Sequence, residues 1–135
     1  MSAKSIMNKP VVTVELDDTL KVVKDIFDNT RFHHLLVVEQ GVLVGVISDR
    51  DLLKAISPKI DTASEKNNDL ATLKKKVHQV MSRKPIVLTQ EAELEDAITI
   101  FNQYTISCIP VVDDDFKPVG IISWRDILKA LAATG

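Results

Sequence analysis

Val44-Gly45-Val46-Ile47-Ser48-Asp49-Arg50-Asp51-Leu52-Leu53-Lys54-Ala55 returns, at an offset of 75, as Val119-Gly120-Ile121-Ile122-Ser123-Trp124-Arg125-Asp126-Ile127-Leu128-Lys129-Ala130. Each copy opens on an apolar run too short for a helix and rich in β-branched residues, which predicts a buried strand. Behind Ser-x-Arg-Asp the period changes. Leu52, Leu53 and Ile56, like Ile127, Leu128 and Leu131, fall at helical spacing. A strand end that hands a hydroxyl, a guanidinium and a carboxylate to a helix N-terminus suits a phosphate, because unpaired N–H groups and the helix dipole favour an anion there. The same letters also fit a purely structural capping box, Ser48-x-x-Asp51 and Ser123-x-x-Asp126. The cap rule requires neither the Arg nor the preceding Gly.

The duplication extends beyond this pair. At an offset of 74, Met7 falls on Met81, Leu20 on Leu94, Ile26-Phe27 on Ile100-Phe101 and Val37-Val38 on Val111-Val112. One extra residue in the turn Asp113-Asp114-Asp115-Phe116-Lys117-Pro118 moves the offset to 75, and a turn tip tolerates such an insertion. In the first copy Val11-Val12-Thr13-Val14 predicts a short strand, and Asp17-Asp18-Thr19 starts a helix that ends near Asn29. Leu35 to Val38 and Leu43 to Ile47 predict a hairpin joined through Glu39-Gln40-Gly41, followed by a helix from Asp49 to Ile56 that Pro58 stops. The second copy repeats the plan with strand Ile86-Val87-Leu88, helix Leu94 to Tyr104, strands Ser107 to Val112 and Val119 to Ser123, and helix Trp124 to Ala132. The fold class is α/β (α+β), two tandem β-α-β-β-α repeats. Neither can cover both faces of its small sheet, so the expectation is sheet-to-sheet packing across a pseudo-twofold axis.

The boundaries drawn are repeat 1 over 1–56, a linker and connecting helix over 57–76, and repeat 2 over 77–135. Residues 57–68 are polar and without period, which predicts a mobile linker. Leu70, Leu73, Val77 and Val80 then predict a connecting helix that packs one face on the body, with Lys74, Lys75 and Lys76 on its outer side as a solvated face or, alternatively, an anion or partner patch. Composition bounds the function. With 135 residues, 45% of them apolar and 27% charged, the chain can bury a real core. A net charge of −2 and an aromatic fraction of 4% give no footprint for nucleic acid. The N-terminal sequence lacks the apolar core of a signal peptide, and no apolar run reaches membrane-spanning length. One cysteine, Cys108, and no zinc-spaced cluster fit a reducing compartment, so the cytosol is expected.

Tandem β-α-β-β-α units ending in Gly-x-x-Ser-x-x-Asp resemble the CBS domain, and two in series resemble a Bateman module. The likeness covers about residues 1–56 and 77–133, and a chain of this length looks like a small bacterial CBS-pair protein. It implies a non-catalytic regulatory module that binds an adenosine-containing ligand in clefts between its two units. AMP, ADP or ATP is expected, with S-adenosylmethionine, NAD or a cyclic dinucleotide as alternatives. It further implies a homodimer, an effector protein the sequence does not identify, and no membrane or nucleic-acid partner.

Carried over residue by residue, the resemblance gives Asp51 and Asp126 the ribose hydroxyls, since a carboxylate accepts both bonds of a cis-diol. Ser48 and Ser123 meet ribose or phosphate. Arg50 and Arg125 pair with phosphate. The purine is walled by Pro10-Val11-Val12 with His34-Leu35, and by Pro85-Ile86-Val87 with Cys108-Ile109-Pro110. In kinase-regulating relatives a His-Arg pair before the second strand meets phosphate, which gives His33 or His34 that role, with an ordinary strand-edge histidine as the alternative. The second copy has Ser107-Cys108 there, so the two clefts are not expected to be equivalent. Adjacent histidines point to opposite faces of a strand and do not chelate one metal easily.

Cys108 reads as a buried small residue, with no partner placed to activate it as a nucleophile. Trp124, which replaces Asp49, packs on the surface or at a dimer interface, or stacks on a ligand base. Regions outside the repeated cores, Lys4 to Met7, the linker and the connecting helix, are expected to change order on binding. Against the sensor stand a dimeric scaffold with unoccupied clefts and a small hydrolase, for which no activated nucleophile is evident.

Overall fold

Gln40 and Gly41 both carry positive φ, 52° and 81°, the geometry of a two-residue turn whose twist matches that of its strands. In the computed structural model, which describes residues 1–9 and 11–134, this turn joins β2 (His34–Glu39) to β3 (Val42–Ser48) as the sequence predicts. The sheet around it runs β1 (Thr13–Glu15), β2, β3, β4 (Ser82–Arg83). β1 is parallel to β2, with Val14 opposite Val37. Parallel neighbours need a crossover, supplied by α2 (Leu20–Asn29). From β3 the chain runs directly into α3 (Asp49–Ala55).

The second repeat gives β5 (Leu88–Thr89), α5 (Leu94–Gln103), β6 (Cys108–Val112), β7 (Pro118–Ser123) and α6 (Trp124–Thr134). Its sheet is ordered β5-β6-β7, parallel then antiparallel. The expected β-α-β-β-α succession holds in both repeats. The first strands are shorter than predicted, because the ladder of β1 runs only from Leu36 to Val38 and that of β5 only from Val111 to Val112. Val11, Val12, Ile86 and Val87 therefore lie ahead of the paired residues, half-buried.

Two compact units form, and each takes its flank from outside its own repeat. One comprises Met1–Val11, Gln40–Leu43 and Lys84–Gly135, the other Val12–Glu39 and Val44–Arg83. The flanking hydrogen bonds repeat at the same offset of 74. Leu20 N donates to Lys75 O at 2.9 Å and Leu94 N to Met1 O at 2.8 Å; Val77 N donates to Asp18 O at 2.8 Å and Ala3 N to Ala92 O at 2.6 Å. The two from Leu20 N and Leu94 N satisfy the opening N–H groups of α2 and α5, where neither Thr19 nor Glu93 makes a side-chain cap. A short helix, α1 (Ala3–Ile6), brings Ala3 and Met7 into the core of Leu94, Ala97, Phe101, Ile109 and Ile122. Val77 and Met81 enter the core of Leu20, Val23, Leu35, Val37 and Ile47 in the same way. The expectation that Lys4 to Met7 and the connecting segment lie outside the cores is thus corrected.

The connecting helix is also corrected. α4 (Asn67–Ala71) gives way to 3₁₀ turns at Thr72–Lys74 and Val77–Gln79. Lys75, with ψ 149°, is drawn out of helical geometry while its carbonyl accepts from Leu20 N. Of the four residues expected to pack, Leu73 and Val77 are buried, Val80 is half-buried and Leu70 is exposed, while Lys74 to Lys76 are exposed. Residues 57–66 carry their own bonds: Ser57 Oγ donates to Asp69 Oδ1 at 2.7 Å, and Lys24 Nζ meets Asp61 Oδ2 at 2.7 Å. The Ser57 hydroxyl, then the Lys66 N–H, hold the Asp69 carboxyl below its ordinary pKa. This segment is a string of tied turns.

Candidate functional site

Ser48 sits at the N-cap of α3, where its Oγ accepts from Asp51 N at 3.0 Å while Asp51 Oδ2 accepts from Ser48 N at 2.9 Å. The capping box read from the sequence is therefore formed. It uses one oxygen of Asp51. Among the described residues nothing donates to Asp51 Oδ1, and nothing accepts the Ser48 hydroxyl hydrogen. Asp51 lines an open concavity of about 410 Å³ with Lys54, Ala55, Lys75, Gln79 and Val80. Lys75 Nζ is already turned to Ala55 O at 2.7 Å, closing off one carbonyl at the end of α3. The wall thus offers a half-used carboxylate beside two ammonium groups and an amide.

The corresponding corner of the other unit is built differently. Asp126 is only 6% exposed. Its Oδ2 accepts from Ser123 N at 2.7 Å and from Ser123 Oγ at 3.0 Å. Asn8 Nδ2 spans both oxygens, at 2.8 Å from Oδ1 and 3.0 Å from Oδ2. Asn8 is carried there by backbone pairing, Asn8 N to Ile121 O at 2.8 Å and Ile121 N to Asn8 O at 3.2 Å. The partner of β3 in the same place is Ser82, opposite Val46. Gly45 and Gly120 permit these approaches, because a Cβ on Gly45 would lie 2.6 Å from Met81 Sδ and one on Gly120 would lie 2.2 Å from Met7 Sδ.

The other residues predicted for a ligand distribute as follows. Arg50 and Arg125 are exposed, Val12 and His34 are half-buried, and Leu35 is fully buried in the core. Pro85, Ile86 and Val87 are half-buried, whereas Cys108, Ile109 and Pro110 are buried. Pro10 lies outside the described residues. Burial pushes the Cys108 thiol up to about 12, which matches the inert small residue expected. His33 Nδ1 meets Asp49 Oδ2 at 2.8 Å, and Asp49 N donates to His33 O at 3.0 Å. Burial, against the pull of Asp49, holds the His34 imidazole below its ordinary value. Trp124 packs against Phe101, ring centroids 4.7 Å apart and planes tilted by 32°, and is 45% exposed. Of the residues predicted from sequence, Asp51 alone lines the concavity.

Lys54, Ala55, Gln79 and Val80 are not among the site residues expected from sequence, and Lys75 enters that reading only through the lysine run. Lys54 follows Asp51 by three positions and so shares its helix face, a signal that was legible. Lys75 to Val80 come from the flank of the other repeat, which no local pattern links to Asp51. Among the described residues no cluster of His, Cys, Asp or Glu could hold a metal, and no helix is long and apolar enough to cross a membrane.

Comparison with known proteins agrees with this architecture. An uncharacterised protein of Methanocaldococcus jannaschii, MJ1426, is 33% identical over 97% of this chain and 91% of its own length. Inosine-5′-monophosphate dehydrogenase of the same organism is 32% identical over 94% of this chain, which spans 23% of that enzyme. Among solved structures, the CBS domain pair of protein MJ0100, in complex with 5′-methylthioadenosine and S-adenosyl-L-methionine, superposes with a TM-score of 0.79 at 27% identity, covering 100% of this chain and 98% of that one. Residues 3–58 and 77–133 each match the family described as the CBS domain, and the chain belongs to that family as a CBS pair.

Proposed function

We propose that this chain is a non-catalytic regulatory module that binds an adenosine nucleotide of the AMP, ADP or ATP type and signals its presence. The observation that carries the reading is the Asp51 concavity. A carboxylate with one oxygen unused accepts from ribose hydroxyls, and Lys54 with Lys75 supplies positive charge within reach of a phosphate. The nucleotide raises stability by mass action, and biases the chain only by its differential affinity for two arrangements. A second reading, S-adenosylmethionine or methylthioadenosine in place of a nucleotide, is favoured by the complex of MJ0100. Self-association is part of the same proposal. Leu128 on α6 and Leu53 on α3 stand 63% and 71% exposed, and such apolar surface is suited to a second copy.

Thermal-shift and calorimetric titrations with AMP, ADP, ATP, S-adenosylmethionine and methylthioadenosine test the reading. One class is expected to raise Tm in the wild type and to lose at least about tenfold in affinity in Asp51→Asn, which removes the charge from the acceptor. Flat titrations with all five would leave the scaffold reading in its place.

A further inference from the structure

The two motif aspartates are not equivalent. Both have the same Ser three positions earlier, yet Asp126 receives four hydrogen bonds, two from Asn8 and two from Ser123, whereas Asp51 Oδ2 receives one and its Oδ1 none among the described residues. The serines differ in consequence: Ser48 Oγ accepts from its helix, and Ser123 Oγ spends its hydrogen on Asp126. Asn8 is itself exposed while Asp126 beneath it is buried. A diol arriving at Asp126 must first displace a bifurcated amide, losing bonds comparable to those it makes. At the equivalent place in the other unit stands Ser82, exposed and with no side-chain bond to Asp51. Its hydroxyl is shorter than the Asn amide by one bond of about 1.3 to 1.5 Å, which accounts for its not reaching across.

We propose that Asn8 is an occupancy-determining residue: by satisfying both oxygens of Asp126 it closes that corner, so that each chain takes one adenosine ligand, at Asp51. This rests on the ligand reading above, and calorimetric stoichiometry separates the two. With AMP, ATP and S-adenosylmethionine as probes, the wild type is expected to bind one equivalent, which Asp51→Asn weakens at least about tenfold and Asp126→Asn leaves intact. Asn8→Ala, and independently Asn8→Ser, should add a second equivalent that Asp126→Asn removes again. Asp126→Asn keeps an acceptor for Ser123 N, so it is expected to fold, and a melt of each variant checks this. Two equivalents in the wild type, one of them lost in Asp126→Asn, overturn the role of Asn8 and leave the ligand reading standing. A single equivalent that follows Asp126, or one that stays single in both Asn8 variants, overturns it too. No binding by the wild type or by either Asn8 variant overturns both proposals.

Discussion

Cys108 and His34 open β6 and β2, at equivalent positions in the two expected purine walls, and each makes a statement that solution chemistry can check. The Cys108 thiol is buried and its pKa is pushed up to about 12, so almost none is thiolate at neutral pH. A maleimide or disulfide reagent is expected to leave it unmodified in the native protein and to label it fully in urea. Rapid native labelling would show the burial to be wrong. His34 takes up a proton in the unfolded chain near the ordinary value of 6.5, but in the folded chain only at lower pH, because burial disfavours the cation. Between those two values the unfolded state binds more protons, so stability is full above about pH 6.5 and declines as pH falls through the window below it. Urea midpoints taken across that range are expected to drop toward acid in the wild type, and to flatten in His34→Gln. An unchanged slope in the variant would assign the dependence elsewhere.

Each Gly-x-x-Ser strand is defined as much by the flank beside it as by its own hydrogen bonds. Met7 and Met81 occupy the volumes a Cβ would need on Gly120 and Gly45, and at Gly45 the Ser82 carbonyl oxygen stands 2.8 Å away as well. Backbone cannot give as a methionine tip can, so Gly45→Ala forces the β3–β4 pairing apart. A loss of roughly 1 to 3 kcal/mol is expected for either Gly→Ala change, as for overpacking elsewhere. Met7→Ala in the Gly120→Ala background should return part of it, a coupling that a double-mutant cycle in urea measures. Strict additivity would mean that the methionine is not what excludes the methyl group. The helices tell a similar story. The Thr19 and Glu93 side chains do not cap α2 and α5; carbonyls of Lys75 and Met1 take the opening N–H groups.

At the scale of the whole chain, the unit of folding is not the unit of repetition. Ala3 and Met7 complete the core of the second repeat, and Val77 and Met81 that of the first. Fragments 1–66 and 67–135 each keep a full β-α-β-β-α sequence but give up the flank their core needs. Each is therefore expected to be largely unfolded alone by circular dichroism, and the equimolar mixture to regain helical signal and a cooperative melt. Cooperative folding of either fragment by itself would show that the exchanged flanks are dispensable. A single chain avoids this problem, because each flank is covalently held at high effective concentration beside the repeat it completes.

The sequence by itself determined the duplication, the order of elements in each copy, the place of the hairpin turn and the Ser48-x-x-Asp51 capping box; at Ser123 only the half in which Asp126 accepts from the Ser123 N–H is formed. All are local: they rest on periodicity, on β-branched runs and on side chains that reach three residues along the chain. Only the tertiary structure decided which flank serves which core, why the connecting segment breaks at Lys75, and why Asp51 stays half-satisfied while Asp126 is sealed. Asn8 lies 118 residues from the carboxylate it covers, and a hydrogen bond across that separation depends on how the strands pair. No spacing along the chain records it.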